Sequence, residues 1–390
     1  MRVAVIGGKL QGVEATYLAH KAGWEVIVID KDPMVPAKGL CDIFYLCDVT
    51  LEKELIERLK DVELIIPALE DESALSSLRR SARHEDIPLA HDANAYAISS
   101  SKIQSNHFFA HLGISAPLSW PDCGFPVIAK PSRDSGSKGV RRINSPKVFQ
   151  TFADRPGSLE DWVIQEFLEG PSFSLEVLGS LGSYQTLQVT DLEMDGNYDC
   201  KRVMAPTFLR ENQIKEFEQM ALTLSRALRL QGIMDVEIIL NDQTLKILEI
   251  DARLPSQTPT VVYLSTGINM VEMLGGLFVQ NSKQGVVDIS FQRGVVYEHI
   301  KVSPNRLEVS GEHIMVDAGP LHLSQDFVGA DEAISNYFPG SEHWVATLMI
   351  TGDDREEAWT KRCEVIEEIR ELCSLDTYVD LSPAISSDSP

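Results

Sequence analysis

A chain of 390 residues, 44% hydrophobic and 24% charged, is long enough for two or three domains with cores of their own. Its 58 acidic against 35 basic side chains give a formal net charge of -23. With no basic patch to offset it, that charge repels phosphate backbones and excludes nucleic acid as an expected partner. The six cysteines are scattered without a C-x-x-C pair, and no apolar run approaches a membrane span. A soluble cytoplasmic protein without a disulfide framework, zinc knuckle or membrane partner is therefore expected.

The first hundred residues alternate β-branched runs with helical patterns: "RVAVIG", residues 13–22, "EVIVID", "LEKELIERLK" and "ELIIPAL". Alternation of this kind predicts a doubly wound α/β domain with a parallel sheet over residues 1–97. The stretch "GGKLQG" at 7–12, with Asp30 after the second strand, invites a dinucleotide reading. Lys9 stands where the middle glycine of G-x-G-x-x-G must let a pyrophosphate approach, so nicotinamide chemistry is not expected.

After residue 97 the pattern changes. A capped helix in "SSKIQSNHFFAHLGISAP" leads to the strand "FPVIAKP", the loop "SRDSGSKGVRR" and the strand "DWVIQEFLEG". His107 and His111 share a helix face, but without the Glu of H-E-x-x-H they read as a solvated pair. From Ser172 the signal is mostly β, with "FSLEVLG" and "SYQTLQVTDLEM" in a meander, broken by a helix over 211–230 that Gly232 stops. "IMDVEIIL" and "TLKILEID" then flank "NDQ" as a hairpin. The last hundred residues read as strands and a final helix over 354–372, and residues 379–390 as a frayed tail.

The hairpin carries the chemistry. Side chains alternate along a strand, so Glu249 and Asp251 share a face, and a turn near Asp242 or Gln243 brings Glu237 beside Glu249 to within about one residue of register. Crowded carboxylates raise one another's pKa unless a cation satisfies them, and hard oxygen donors suit Mg²⁺. The competing reading is a solvated charged sheet face. If the metal carries a triphosphate, cations must converge from elsewhere. Lys102 opens a helix, Lys130 ends a strand, and the loop offers Ser135, Gly136, Ser137, Lys138 and Gly139 to phosphates, although no Walker A loop is present.

This order of parts resembles the ATP-grasp superfamily. The longer strings "GIMDVE", "EIDARLPSQTPTVVYLSTGIN", "YDC" at 198–200, "YEH" at 297–299 and "IGGKLQG" resemble, within it, the ligases of pyrrolysine biosynthesis, from residue 2 to about 375. The resemblance implies a multidomain α/β and α+β chain, an ATP-grasp fold with a Rossmann-like amino-terminal domain. Its parts would be residues 1–97, a central subdomain 98–163, a carboxy-terminal domain 164–378, and the tail. It implies Mg²⁺ on Glu237, Glu249 and Asp251, where many relatives carry Asn in place of Asp251. ATP would meet Lys102 and Lys130, a closing loop of Lys138, Gly139, Val140 and Arg141, and a hinge of Gln165, Phe167 and Leu168 at the adenine.

For substrates, the resemblance places Lys9, Leu10, Gln11 and Glu70 in an L-lysine pocket. Asp30, Asp48 and Val49 would contact the nucleotide or that pocket's wall. Ser174, Glu176, Asp191, Asp199 and Ser256 would surround 3-methyl-D-ornithine. The implied reaction is an attack of one carboxylate on the γ-phosphate, giving an acylphosphate and ADP, followed by attack of the lysine side-chain amine. Arg253 would stabilise charge on the tetrahedral intermediate, with Lys130 beside it on the phosphates. The amine must lose a proton from a group of pKa about 10.4, to a nearby carboxylate or to the departing phosphate. A ligase for another amino-acid pair or a peptidoglycan-type substrate is the alternative within the class, and a non-catalytic nucleotide-binding regulator outside it. Many relatives dimerise, which makes a homodimer the assembly to test, though no stretch of sequence identifies an interface.

Overall fold

The computed structural model describes residues 1–134, 136, 138–154, 159–180, 182–279 and 291–383. The amino-terminal strands Arg2–Ile6, Glu25–Asp30, Ile43–Leu46 and Leu64–Pro67 form a parallel sheet, with the third at one edge, then the second, the first and the fourth. Helices such as Leu10–Lys21 and Glu72–Glu85 cover it, and burial on both faces explains why these strands read as unbroken apolar runs. Gly7 has φ +104°, and a Cβ there would lie 2.4 Å from the Ala68 carbonyl oxygen. Only glycine fits this turn between the first strand and its helix.

The second unit is a three-stranded antiparallel sheet of Arg141–Ile143, Val127–Pro131 and Trp162–Glu166, with Val127–Pro131 in the middle. Its own small core contains Val127, Ala129, Ile143 and Phe152. The predicted boundary at 163 cuts the closing strand, which runs to Glu166 because its hydrogen bonds to Val127–Pro131 continue to that residue. The helix Lys102–Leu112 also departs from the expected division, since its Phe109 packs into the core beneath the hairpin and not into the small sheet.

The third unit is built on a 12-stranded sheet. The hairpin Gly232–Asn241 and Thr244–Asp251 lies at its edge, paired to Ser172–Ser180. Asp242 and Gln243 both have positive φ (47° and 66°), the conformation of a tight two-residue hairpin turn. Such a turn alone would place Leu248 opposite Glu237. A β-bulge between Glu237 and Ile238 shifts the pairing, so that Glu237 faces Glu249 and Asp235 faces Asp251. The bulge also re-phases the strand: Leu245 and Ile247 before it, and Ile250 and Ala252 after it, all reach the same core.

Two helices, Thr258–Thr266 and Met270–Phe278, follow in a stretch where the sequence predicts no element. Its β-branched residues obscure helical spacing, and their burial against the amino-terminal domain compensates. The amino-terminal helix meets this region through specific bonds. Glu14 accepts the Thr260 N–H at 2.6 Å, Asn269 Nδ2 donates to the Leu18 carbonyl at 2.7 Å, and Tyr17 donates to Glu332 at 2.7 Å.

The tail expectation requires correction. Residues 377–380 form a strand parallel to Arg306–Val309, and Lys201 holds Asp380, the Leu381 carbonyl and Ser382. Residues 379–383 are thus anchored by buried cations, while 384–390 lie outside the described residues. Glu298, fully buried, accepts from both Arg202 and Arg362, and Arg202 also pairs with Asp380. Removing one member of such a cluster strands buried charge at a cost of about 3–5 kcal/mol. Glu298→Ala is therefore expected to lower the stability measured by urea unfolding by about that amount.

Candidate active site

The bulged hairpin presents Asp235, Glu237, Glu249 and Asp251 on the face away from the core. Burial pushes the Glu237 carboxyl well above its ordinary range, and neighbouring Asp235 and Glu249 add to this against Lys130 and Lys102. Burial likewise raises Asp251 to about 7, although Arg253 opposes it. These side chains hold more negative charge than the adjacent cations neutralise, the condition for a bound cation.

Two lysines converge from separate elements. Lys102 Nζ lies 2.8 Å from Glu249 and donates to the Asp134 carbonyl at 2.7 Å. Lys130 is 9% exposed, and its Nζ donates to the Leu248 carbonyl at 3.4 Å. Burial pushes Lys130 below its ordinary pKa, resisted by Glu249. Ser101, which caps the Lys102 helix, meets Ser132 at 3.1 Å, and Lys102 N–H donates to the Ser132 carbonyl at 2.9 Å. The helix start is thereby tied to the end of the strand bearing Lys130.

These groups floor a cavity of about 590 Å³ that also holds Gln165, Phe167, Leu168, Lys138 and Val140. Apolar side chains also line it, among them Ile128, Leu192, Met194 and Ile239. Gly139 and Arg141 do not line it. Gly139 has φ +78° and shapes the turn, and exposed Arg141 faces out; Arg142, the next residue and so on the other strand face, stacks its guanidinium 4.1 Å from the Phe167 ring centre. Ser135 and Ser137 lie outside the described residues.

A second cavity of about 870 Å³ opens between the amino-terminal domain and the hairpin. Lys9, Leu10, Gln11 and Glu70 line it together, and Asp30, Asp48 and Val49 line it too and do not line the first cavity. Asp30 also accepts the Gly8 and Asp32 N–H groups at 2.7 and 2.9 Å, closing the turn that positions Lys9. Both cavities share Gly136, Lys138, Asp199, Arg253, Ser256 and Glu312. At this junction Arg253 pairs with Asp251 at 2.5 Å and Glu70 at 2.8 Å, and Gln11 steadies Glu70 at 3.0 Å.

The loop beyond Arg253 is strained. Gln257 takes φ 73° and ψ -62°, and Thr258 N–H bonds the Ser256 carbonyl at 2.9 Å, a rare γ-turn. Glu312 holds it by accepting from Ser256 Oγ and Gln257 Nε2, both at 2.8 Å. Sequence reasoning missed Glu312, His313, Asn197 and Tyr198 at these walls, and Arg142; they sit in loops and strand ends without a spacing signal.

Three expected substrate residues are placed elsewhere. Asp191 is 2% exposed and paired with Arg355 at 2.5 Å, because strand alternation turns Leu192 and Met194 to the cavity and Asp191 away. Ser174 and Glu176 are fully buried and line neither cavity. Ser174 donates to Asp235, and burial raises Glu176 to about 7.

The fold and the lysine and carboxylate floor define an ATP-grasp enzyme, and residues 99–257 match the ATP-grasp domain model. Residues 3–90 match the model described as PylC-like, N-terminal domain. The chain is 35% identical over 372 residues to the 3-methyl-D-ornithine--L-lysine ligase of Methanosarcina barkeri, covering 95% of this chain and 98% of that protein. It is 36% identical to the enzyme of the same name from Methanosarcina mazei, covering 92% and 93%. The chain belongs to the family of 3-methyl-D-ornithine--L-lysine ligases. Among solved structures, the L-amino acid ligase from Bacillus licheniformis aligns with TM-score 0.67 at 16% identity, over 94% of this chain and 97% of that one. The biotin carboxylase domain of Hydrogenobacter thermophilus 2-oxoglutarate carboxylase aligns with TM-score 0.72 at 14% identity, over 94% and 89%.

Glu249→Gln keeps the shape of the floor and removes one charge. It is expected to leave thermal unfolding nearly unchanged and to lower ATP turnover by about 10²-fold or more, read by ADP release.

Proposed function

We propose that this chain uses ATP to activate the carboxylate of 3-methyl-D-ornithine and joins it to the side-chain amine of L-lysine, releasing ADP and phosphate. The observation that carries this is the meeting of two unlike cavities at Arg253. One has lysines and carboxylates at its floor and an apolar slot. The other is acid-rich, with Asp30, Asp48, Glu70, Asp71, Asp199 and Glu312 against Lys9, Lys31, Lys138 and Arg253. Substrates with two ammonium groups need such a lining.

In this reading the apolar slot and Phe167 receive the adenine, and Lys102 and Lys130 neutralise the phosphates. Glu237, Glu249 and Asp251 fit Mg²⁺, since they are hard oxygen donors on adjacent strands with excess negative charge. When bound, the ion supplies electrostatic stabilisation of phosphate oxygens. Arg253 orients the ornithine carboxylate toward the γ-phosphate and then holds the acyl oxygen as negative charge develops there. Glu70 receives an ammonium group of lysine while it stays paired with Arg253. Six free thiols and the acidic surface suit a reducing cytoplasm, the compartment proposed here.

The test is ADP release by purified protein with Mg²⁺-ATP, 3-methyl-D-ornithine or D-ornithine, and L-lysine, with product mass read alongside. Release requiring both amino acids, and a product equal to their sum less one water, is expected. No release from folded protein that binds ATP overturns the substrate pair. Glu70→Gln is expected to raise KM for L-lysine about tenfold or more, the scale of one lost charge-assisted hydrogen bond, with a smaller change in KM for ornithine.

A further inference from the structure

Amide formation needs a proton acceptor, because a lysine side chain is almost wholly ammonium near neutral pH. The carboxylates where the cavities meet are already committed. Glu70 and Asp251 face Arg253, Glu249 faces Lys102, and Glu312 accepts from Ser256 and Gln257. Among the described residues, His313 is the one histidine lining either cavity.

Its geometry is that of an oriented imidazole. Asp199, 5% exposed, lies 2.5 Å from His313 Nδ1 and also accepts the His313 backbone N–H at 3.0 Å. A carboxylate oxygen accepts, so Nδ1 donates to Asp199, and in the neutral imidazole Nε2 is the nitrogen that carries the lone pair. Asp199 is itself fixed: its N–H donates to Asp195 at 3.1 Å, and Asp195 also takes the Gly311 N–H at 3.0 Å. A Cβ at Gly311 would lie 2.1 Å from Asp199 Oδ2, so only glycine admits this carboxylate beside His313. The His313 side chain remains 56% exposed, open to a molecule in the second cavity.

We propose that His313, held by Asp199, is the general base that takes a proton from the incoming lysine ε-ammonium. Nε2 removes one proton, and the freed lone pair on nitrogen forms the C–N bond to the acyl carbon. The C–O bond to phosphate breaks with its electron pair on the phosphate oxygen, and the second proton leaves nitrogen for that phosphate. Imidazolium then returns its proton to solvent through the open side of the cavity. This assignment rests on the ligase reading above, gives His313 the first proton that the sequence reading left to a nearby carboxylate or the departing phosphate, and adds His313 to the residues that touch substrate.

The test compares two nucleophiles on the same acylphosphate: L-lysine, which must be deprotonated, and hydroxylamine, which is already neutral near neutral pH. In His313→Asn, which keeps a donor for Asp199, amide formation with lysine is expected to fall by about 10²–10⁴-fold. Hydroxamate formation is expected to stay at the wild-type rate, and added imidazole to restore part of the lysine reaction. Should that variant fail to fold, His313→Gln takes its place. Equal losses with both nucleophiles, or an unchanged lysine rate, overturn the proposal while the ligase reading stands. Wild-type protein that forms hydroxamate but no lysine amide overturns both.

Discussion

Buried like charges on neighbouring strands repel, and the structure depends on how one hairpin holds them together. The bulge at Leu248 does two things at once. It turns Glu249 and Asp251 to the cavity beside Glu237 and Asp235, and it returns Ile250 and Ala252 to the core. A flat hairpin with the same turn would send Glu249 toward the side of Leu245 and Ile247, where a carboxylate has no partner. Lys102 and Lys130 offset only part of the charge these carboxylates carry when ionised.

Arg253 links that patch to the rest of the molecule. Its guanidinium is divided between Asp251 on the hairpin and Glu70 on the amino-terminal domain. The second cavity therefore exists only because that domain is docked, and the docking bonds are specific ones: Glu14 to the start of the Thr258 helix, Asn269 to Leu18, Tyr17 to Glu332. The same loop that carries Arg253 is bent into a γ-turn by Glu312, whose neighbour His313 lines the second cavity. The carboxylate floor, Arg253 and the wall of the second cavity are thus joined through a few residues whose backbones are held by hydrogen bonds.

A large share of this was legible in the sequence. Alternating β-branched and helical runs gave the doubly wound first domain; the capped helix at Lys102, the strand ending at Lys130 and the turn at Asp242 and Gln243 all fall where the pattern places them. Period-two alternation put Glu249 and Asp251 on one face. The misreadings came where alternation was not applied or could not apply. Asp191 lies on the wrong face of its strand, Arg141 yields to Arg142, and the segment 379–383, polar and short, is held by Lys201 and Arg202 from far away in sequence.

By itself, then, the sequence determined the elements and the residue types that chemistry requires, because local periodicity and turn preference act over a few residues. The tertiary structure alone decided the register that sets Glu237 opposite Glu249, the sharing of Arg253 between two domains, and the pairing of Asp199 with His313. Each of these joins residues from separate elements or turns on a one-residue slip, and such contacts are fixed by burial and hydrogen bonding across the fold, which no local pattern encodes.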